Sequence, residues 1–298
     1  MRVAAVVVTY NRMALLEQTL EALEHQTRPV DHIVIIDNAS TDGTDDYLAA
    51  RTPGVPTTVR RMKENTGGAG GFSTGTELAY GLGMDAIWLM DDDTVPQADA
   101  LGPLVRDLED AETRLGAMPS FACSLVLWKD GSLCEMNTPE PTWDWARPLT
   151  QGAPYTLMKS CSFVSCLVTR EAVHAVGLPS ANFFIWYDDA EYTQRLSKFR
   201  PGIFVPDSKV NHLLPQNRGV NFGDVNEGNV WKFEYGVRNQ IATAIKFRSP
   251  TIAASLVENM IKQLRGAGVP KPLVLRLVKA AARGVVFRPE VKRARTVR

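Results

Sequence analysis

The sequence predicts an α/β chain: a doubly wound, mostly parallel sheet over residues 1–245, followed by a basic helical extension over residues 246–298. Three observations carry this. Continuous β-branched runs, Val3 to Val8 and His32 to Ile36, have the pattern of strands covered on both faces. Between them Leu15, Leu16, Leu20 and Leu23 recur at helical spacing. Polar residues stand where the apolar runs end, at Thr9, Asp37 and Asp91. Strand, helix and strand in alternation imply right-handed crossovers, and in such sheets ligands bind beyond the carboxyl ends of the strands.

Taken in order, the first strand is followed by a helix over 13–25, the second strand by a short helix over 41–50, and a third strand is expected over 59–62. Glycines crowd residues 64–75 before a helix expected over 74–82, and Ile87 to Met90 forms the next strand. A helix over 96–110 carries Leu101, Leu104, Val105 and Leu108, and a strand region follows over 119–128. Residues 131–154, rich in Trp and Pro, show little periodicity. They fit either an irregular packed loop or exposed indoles that stack on sugar rings. Further on come an apolar stretch over 160–168, a helix over 169–176, two short strands over 203–205 and 209–213, and helices over 231–244, 252–264 and 273–287.

Length and charge bound the function. A chain of 298 residues can bury a large core. From Lys246 onward 13 Lys and Arg face two acids, Glu258 and Glu290, so the 20 bases before it face 31 acids. The acidic body is not expected to grip nucleic acid, whereas the basic tail suits an anionic surface. In the second tail helix Leu273, Leu277, Val278 and Ala281 share one face, which fits either packing on the body or docking on anionic lipid. Cys123, Cys134, Cys161 and Cys166 lack zinc spacing and suit reduced packing thiols of a cytosolic protein. The first apolar run is too short for a secretory leader, and no stretch of 18 apolar residues occurs.

Two acidic constellations point to chemistry. Asp91, Asp92 and Asp93 follow an apolar strand, and three ions cannot continue into a core. In extended backbone Asp91 and Asp93 share a face and suit Mn²⁺ or Mg²⁺, with Asp92 pointing elsewhere; an acidic helix start is the plainer alternative. The glycine run, including Gly67 and Gly68 after Asn65, fits a diphosphate-facing loop or a flexible turn. The second constellation is Trp186-Tyr187-Asp188-Asp189-Ala190-Glu191. Asp188 and Glu191 match a capping box, which leaves Asp189 and the aromatic approach unexplained. A carboxylate in a first helical turn beside aromatic walls suits a general base. His212 closes an apolar strand and fits either a satisfied structural histidine or a ligand.

In order, Val7-Val8-Thr9-Tyr10-Asn11-Arg12, the stretch Asp37 to Thr44, Gly67 to Phe72, Trp88 to Asp93 and Trp186 to Tyr192 resemble the inverting family 2 glycosyltransferases of the GT-A fold, a Rossmann-like sheet. The glycine run and the second acidic stretch are most similar to the galactofuranosyltransferase and rhamnosyltransferase-like branch. The resemblance implies that Thr9, Asp37, Asn65, Gly67, Gly68, Asp91 and Asp92 serve the donor nucleotide. It implies metal ligation by Asp91, Asp93 and His212, a catalytic base at Asp189, and an acceptor site lined by Asp188, Trp186 and Tyr187. It further implies a nucleotide-sugar donor such as UDP-galactofuranose and a saccharide acceptor. If the basic tail docks on anionic lipid, the acceptor is a polyprenyl-linked saccharide and the protein works peripherally at the inner face of the cell membrane. The stretch Tyr235, Arg238 and Asn239 also resembles a recurrent family feature, without an assigned role.

Rival readings remain at this stage. The donor could be dTDP-rhamnose. A nucleotide-sugar pyrophosphorylase would carry a glycine-rich basic signature after the first strand, where this chain has Thr9-Tyr10-Asn11-Arg12. A nucleotide-sugar-binding protein without turnover is the non-enzymatic alternative.

Overall fold

A ten-stranded mixed sheet forms the centre of the computed structural model, which describes residues 1–294. The strands are β1 (Val3–Thr9), β2 (His32–Asp37), β3 (Thr57–Arg61), β4 (Ala86–Asp91), β5 (Thr94–Pro96), β6 (Phe121–Trp128), β7 (Glu140–Pro141), β8 (Thr156–Ser160), β9 (Cys166–Thr169) and β10 (Gly202–His212). Their order is β3-β2-β1-β4-β9-β6-β10-β8-β7, with β5 pairing beside the end of β10. The first four are parallel, β9 runs antiparallel between β4 and β6, and β10 is parallel to β6. The doubly wound, mostly parallel sheet expected from the alternation is therefore present.

Helices cover both faces. On one side lie α1 (Met13–Glu24) and α4 (Leu101–Leu115), burying Leu16, Leu20 and Leu23 with Leu101, Leu104 and Leu108. No side chain caps the start of α1, so its stability comes from that stripe, each leucine contributing roughly 1.5–3 kcal/mol on leaving water. The short α2 (Thr44–Ala50) follows β2. On the other face α3 (Gly67–Gly81), α5 (Arg170–Val176) and α6 (Asp188–Phe199) bury Phe72, Tyr80, Val173, Tyr192 and Leu196. A third apolar cluster joins α7 (Val230–Phe247), α8 (Pro250–Gly266) and α9 (Lys271–Val286).

Four expectations change. The helix placed over 74–82 begins at Gly67, because its glycines make room for the sheet: a Cβ at Gly71 or Gly75 would collide with Val8 or Val6. The strands placed over 203–205 and 209–213 are one strand, bulged between Val205 and Lys209 where Pro206 has no N–H to give the ladder. The helix placed over 96–110 starts at Leu101, since Thr94 to Pro96 pair with β10 as β5. Finally, the tail face of Leu273, Leu277 and Ala281 is buried within the α7–α9 cluster rather than free for lipid. Of the tail's charges, Arg295 and Arg298 lie outside the described residues.

Candidate active site

Sheet register brings the sequence-predicted polar residues to one edge. Thr9 lies beside Asp37, and Val8 beside Asp91. Asp92 accepts hydrogen bonds from the Thr9 hydroxyl (2.8 Å), the Tyr10 N–H (3.3 Å) and Arg12 Nη1 (3.3 Å). The same guanidinium nitrogen donates to Asp93 Oδ2 at 2.5 Å. Asp37 takes the Ser40 N–H on Oδ1, while its buried Oδ2 finds no hydrogen-bond donor and stands 3.7 Å from Arg61. Asp37 and Arg61 line a cleft of about 280 Å³ with Leu48, Ala49 and Val59.

His212 reaches this edge through β10. Its antiparallel register with β5 sets it opposite Thr94, and the Leu213 N–H donates to the Asp93 carbonyl. Its Nδ1 lies 2.8 Å from Asn137 Oδ1, and Asn137 Nδ2 is committed to Ser162. With Nδ1–H donating to Asn137, Nε2 presents a lone pair to Asp93 Oδ1 at 3.2 Å, and that oxygen has no donor. Two facing lone pairs repel unless a proton or cation lies between them. Among the described residues no three His, Cys, Asp or Glu side chains form a ready metal cluster. The orphaned oxygen, the oriented imidazole and nearby Asp91 nevertheless fit a hard divalent cation completed by donor phosphates and water.

The second acidic group stands on a strained support. Phe184, Trp186 and Tyr187 all have positive φ (65°, 63° and 68°), conformations that cost non-glycine residues of order 1–3 kcal/mol each. Asn239 holds this segment. Its Nδ2 donates toward the carbonyls of Phe183, Ile185 and Trp186 at 2.8–3.0 Å, and its Oδ1 accepts from Arg238, which fixes the direction of the amide. Gly236 leaves space for the Trp186 indole, which also packs edge-on to Phe233 at 5.2 Å. Gly67 leaves space for the Phe184 carbonyl, and the Ala69 N–H donates to that carbonyl. Asn65 accepts the Gly67 N–H, and Gly68 sits in the first turn of α3. The glycine run is thus a helix start packed against the aromatic approach rather than a loose loop.

The chain turns into α6 at Tyr187, so Asp188 and Asp189 occupy the first turn. The capping-box alternative does not hold, because Glu191 pairs with Arg195 (3.0 Å) and Lys246 (2.7 Å) instead of reaching back. Asp189 Oδ1 accepts the N–H of Ala190 at 2.6 Å. Burial and the neighbouring Asp189 charge push Asp188 up to about 8, and burial pushes Asp189 up to about 6. Burial likewise raises Asp92 to about 6. Asp91 is driven well above the carboxylate range by burial and then by the charges of Asp93, Asp92 and Asp188. The Asp188 contribution means that the two acidic groups, distant in sequence, share one electrostatic environment.

These features bear on the comparisons with known proteins. Residues 4–176 match the family described as Glycosyl transferase family 2. The chain belongs to that family. Similar members include galactofuranosyltransferase GlfT1 of Mycolicibacterium smegmatis, 29% identical over 212 residues, and of Mycobacterium tuberculosis, 31% identical over 206. Each match covers 65% of this chain, and the chain spans 65% and 64% of those relatives. The N-acetylglucosaminyl-diphospho-decaprenol L-rhamnosyltransferase of M. tuberculosis is 27% identical over 241 residues, covering 72% of this chain and 76% of its own length. Among solved structures, mannosyltransferase PcManGT of Pyrobaculum calidifontis, in complex with GDP-Man and Mn²⁺, superposes over 96% of this chain and 76% of its own, with TM-score 0.57 and 18% identity. S. aureus TarS 1-349 in complex with UDP-GlcNAc covers 96% of this chain and 89% of its own, with TM-score 0.54 and 14% identity. These likenesses show the GT-A fold. Family membership removes the pyrophosphorylase reading.

Three residues of this family 2 chain's candidate site escaped sequence reasoning in their roles. Arg12 is the one guanidinium shared by Asp92 and Asp93, and a charge count at the strand ends could have found it. Asn239 acts through backbone carbonyls and Arg238, and Asn137 lies in the aperiodic 131–154 segment; Asn239 stands out in the sequence without a role, and nothing there marks Asn137. In that segment Trp143 stands 95% exposed.

Proposed function

We propose that this family 2 glycosyltransferase moves galactofuranose from its UDP donor to a hydroxyl of a saccharide or polyprenyl-linked acceptor, inverting the anomeric centre, in cell-envelope glycan assembly. The observation that carries this reading is that the two acidic groups adjoin: Asn38, next to Asp37, donates to the Gly67 carbonyl, and two residues on the Ala69 N–H donates to the carbonyl of Phe184, four residues before Asp188. Asp189 accepts the proton of the acceptor hydroxyl. The hydroxyl oxygen attacks the anomeric carbon on the face opposite the diphosphate, the glycosidic C–O bond breaks, and its electron pair leaves with the diphosphate. A carboxylate raised to about 6 is ionised at neutral pH and still a useful base. Asp188, raised to about 8, keeps its proton and offers it as a hydrogen bond to the acceptor. Asp91, Asp93 and His212 Nε2 would hold Mn²⁺ or Mg²⁺, whose charge offsets that growing on the diphosphate. Thr9 and Arg12 keep Asp92 and Asp93 in place while Asp37 receives the nucleoside.

Support for the furanose donor comes from the galactofuranosyltransferase relatives at 29–31% identity. The longer alignment with a rhamnosyltransferase supports dTDP-rhamnose as the second reading. Among the described residues no helix is long and apolar enough to cross a membrane. Nucleotide sugars screened with Mn²⁺ for a rise in Tm test the reading, since a ligand bound only by the folded state raises it. UDP-galactofuranose is expected to give the largest rise. A larger rise with dTDP-rhamnose reassigns the donor. No rise with any nucleotide sugar, and no nucleoside diphosphate released on adding acceptor, removes the transferase reading.

A further inference from the structure

Helix α9 has two apolar faces, and only one is covered. Leu273, Leu277, Ala280, Ala281 and Gly284 pack inward, Gly284 against the Arg238 carbonyl and Ile241. On the outside Leu275, Val278, Val285 and Val286 are 54%, 37%, 50% and 74% exposed and, with exposed Ala282, wind one continuous stripe. Other surface helices of this chain differ. The outer face of α4, for instance, presents Arg106, Glu109, Glu112 and Thr113. A helix apolar on opposite faces is normally buried on both.

Charge says what covers the open face. The helix carries Lys271, Arg276, Lys279 and Arg283 and no acid. Glu234 takes Arg276 at 2.7 Å, with the exposed Glu227 at 3.9 Å, and Glu290 lies past the helix end. Lys271, Lys279 and Arg283 flank the stripe with no acid in direct ion-pair contact among the described residues, Glu234 reaching Arg283 only through its field. A second copy laid face to face would set bases against bases. A lipid surface with anionic headgroups accepts both features: apolar side chains enter the acyl boundary while ammonium and guanidinium groups meet phosphates.

We propose that the outward stripe of α9, Leu275, Val278, Ala282, Val285 and Val286, is the surface by which the protein docks on anionic lipid. The inference rests on the transfer reading only for its consequence, that a lipid-borne acceptor is met at the same surface. Flotation of the full chain with vesicles of phosphatidylcholine alone, or mixed with phosphatidylglycerol, tests it without donor or acceptor present. Shortening the chain would not serve, because α9 and α7 share a core. The full chain is expected to float with the mixed vesicles, less so at high salt, and poorly with neutral ones. Leu275→Glu with Val286→Glu, both at exposed positions, should weaken binding at least about tenfold. The same variant should keep its nucleotide-sugar Tm shift and its turnover of a short soluble acceptor. Unchanged flotation of the variant, equal flotation with neutral vesicles, or a solution dimer that the variant converts to monomer overturns the proposal. Loss of the transferase reading would leave the vesicle result standing.

Discussion

The two acidic groups of the site are built in opposite ways. Asp91 closes β4 and Asp92 and Asp93 follow it, and their charge is partly answered: Thr9, Tyr10 and Arg12 bind Asp92, and Arg12 and His212 face Asp93. Asp188 and Asp189 follow three left-handed residues, and no cation binds either of them among the described residues. At the strand end the effect of burial on Asp93 is outweighed by its His212 and Arg12 neighbours, which hold it below the ordinary carboxylate value, whereas burial raises Asp91 and Asp92. Where only burial and a neighbouring acid act, carboxylates rise into the range where protons are exchanged near neutrality. On the proposed reading Asp93 and its neighbours anchor the ion at the strand end, and the helix start handles the proton.

Exchanging the proton-handling oxygen is the strongest way to break that division. Asp189→Asn keeps shape and the Ala190 contact geometry while removing basicity, so kcat should fall about 10²–10⁴-fold with donor KM little changed. Steady-state kinetics with donor and acceptor varied separately read this. A variant with near-normal turnover would move the base elsewhere. If donor KM rises as much as kcat falls, Asp189 belongs with the ion-holding group instead.

The support beneath the second group comes next. Asn239→Ala removes the donors that pin the carbonyls of Phe183, Ile185 and Trp186, and the left-handed segment can then relax. Displacing the base by an ångström is expected to cost about tenfold to a hundredfold in kcat. Asn239→Asp should be worse, since one of its oxygens would face three carbonyls. Mn²⁺-dependent nucleotide binding, read by calorimetry, should survive in both variants, because the strand-end group does not use this clamp. Equal loss of binding and turnover would make Asn239 a general structural residue rather than a positioning one.

How far the sequence could be read follows the same division. The strand-end group was legible because it is local: an apolar run followed by acids dictates a strand end, and β-branched runs such as Val3 to Val8 dictate a covered strand. Helix faces such as Leu16, Leu20 and Leu23 were legible for the same reason. What escaped depends on contacts made after folding. Gly71 and Gly75 look like a phosphate loop until Val8 and Val6 are seen beneath them. Asn137 and Asn239 orient other groups through one amide each and have no periodic signature. The apolar spacing of α9 was visible, but which of its two faces meets α7 was not. Asp188 and Glu191 fitted a capping box, and only the Arg195 and Lys246 pairs exclude it.

The smallest expected effect sharpens the comparison through pH. Folded protein keeps the Asp188 proton up to about pH 8, whereas an unfolded chain releases it near the ordinary value of about 4. Between those limits the folded state binds more protons than the unfolded one, so stability falls as pH rises through the window. Asn at this position mimics the protonated acid and cannot ionise. Tm of Asp188→Asn should therefore match the parent near pH 4 and exceed it increasingly toward pH 8. Mn²⁺ near Asp91 should narrow the gap, because a cation in the shared field eases the charge on Asp188. Parallel Tm curves for parent and variant would mean that the helix-start acids are answered by some base after all, and the contrast between the two groups would lose its electrostatic cause.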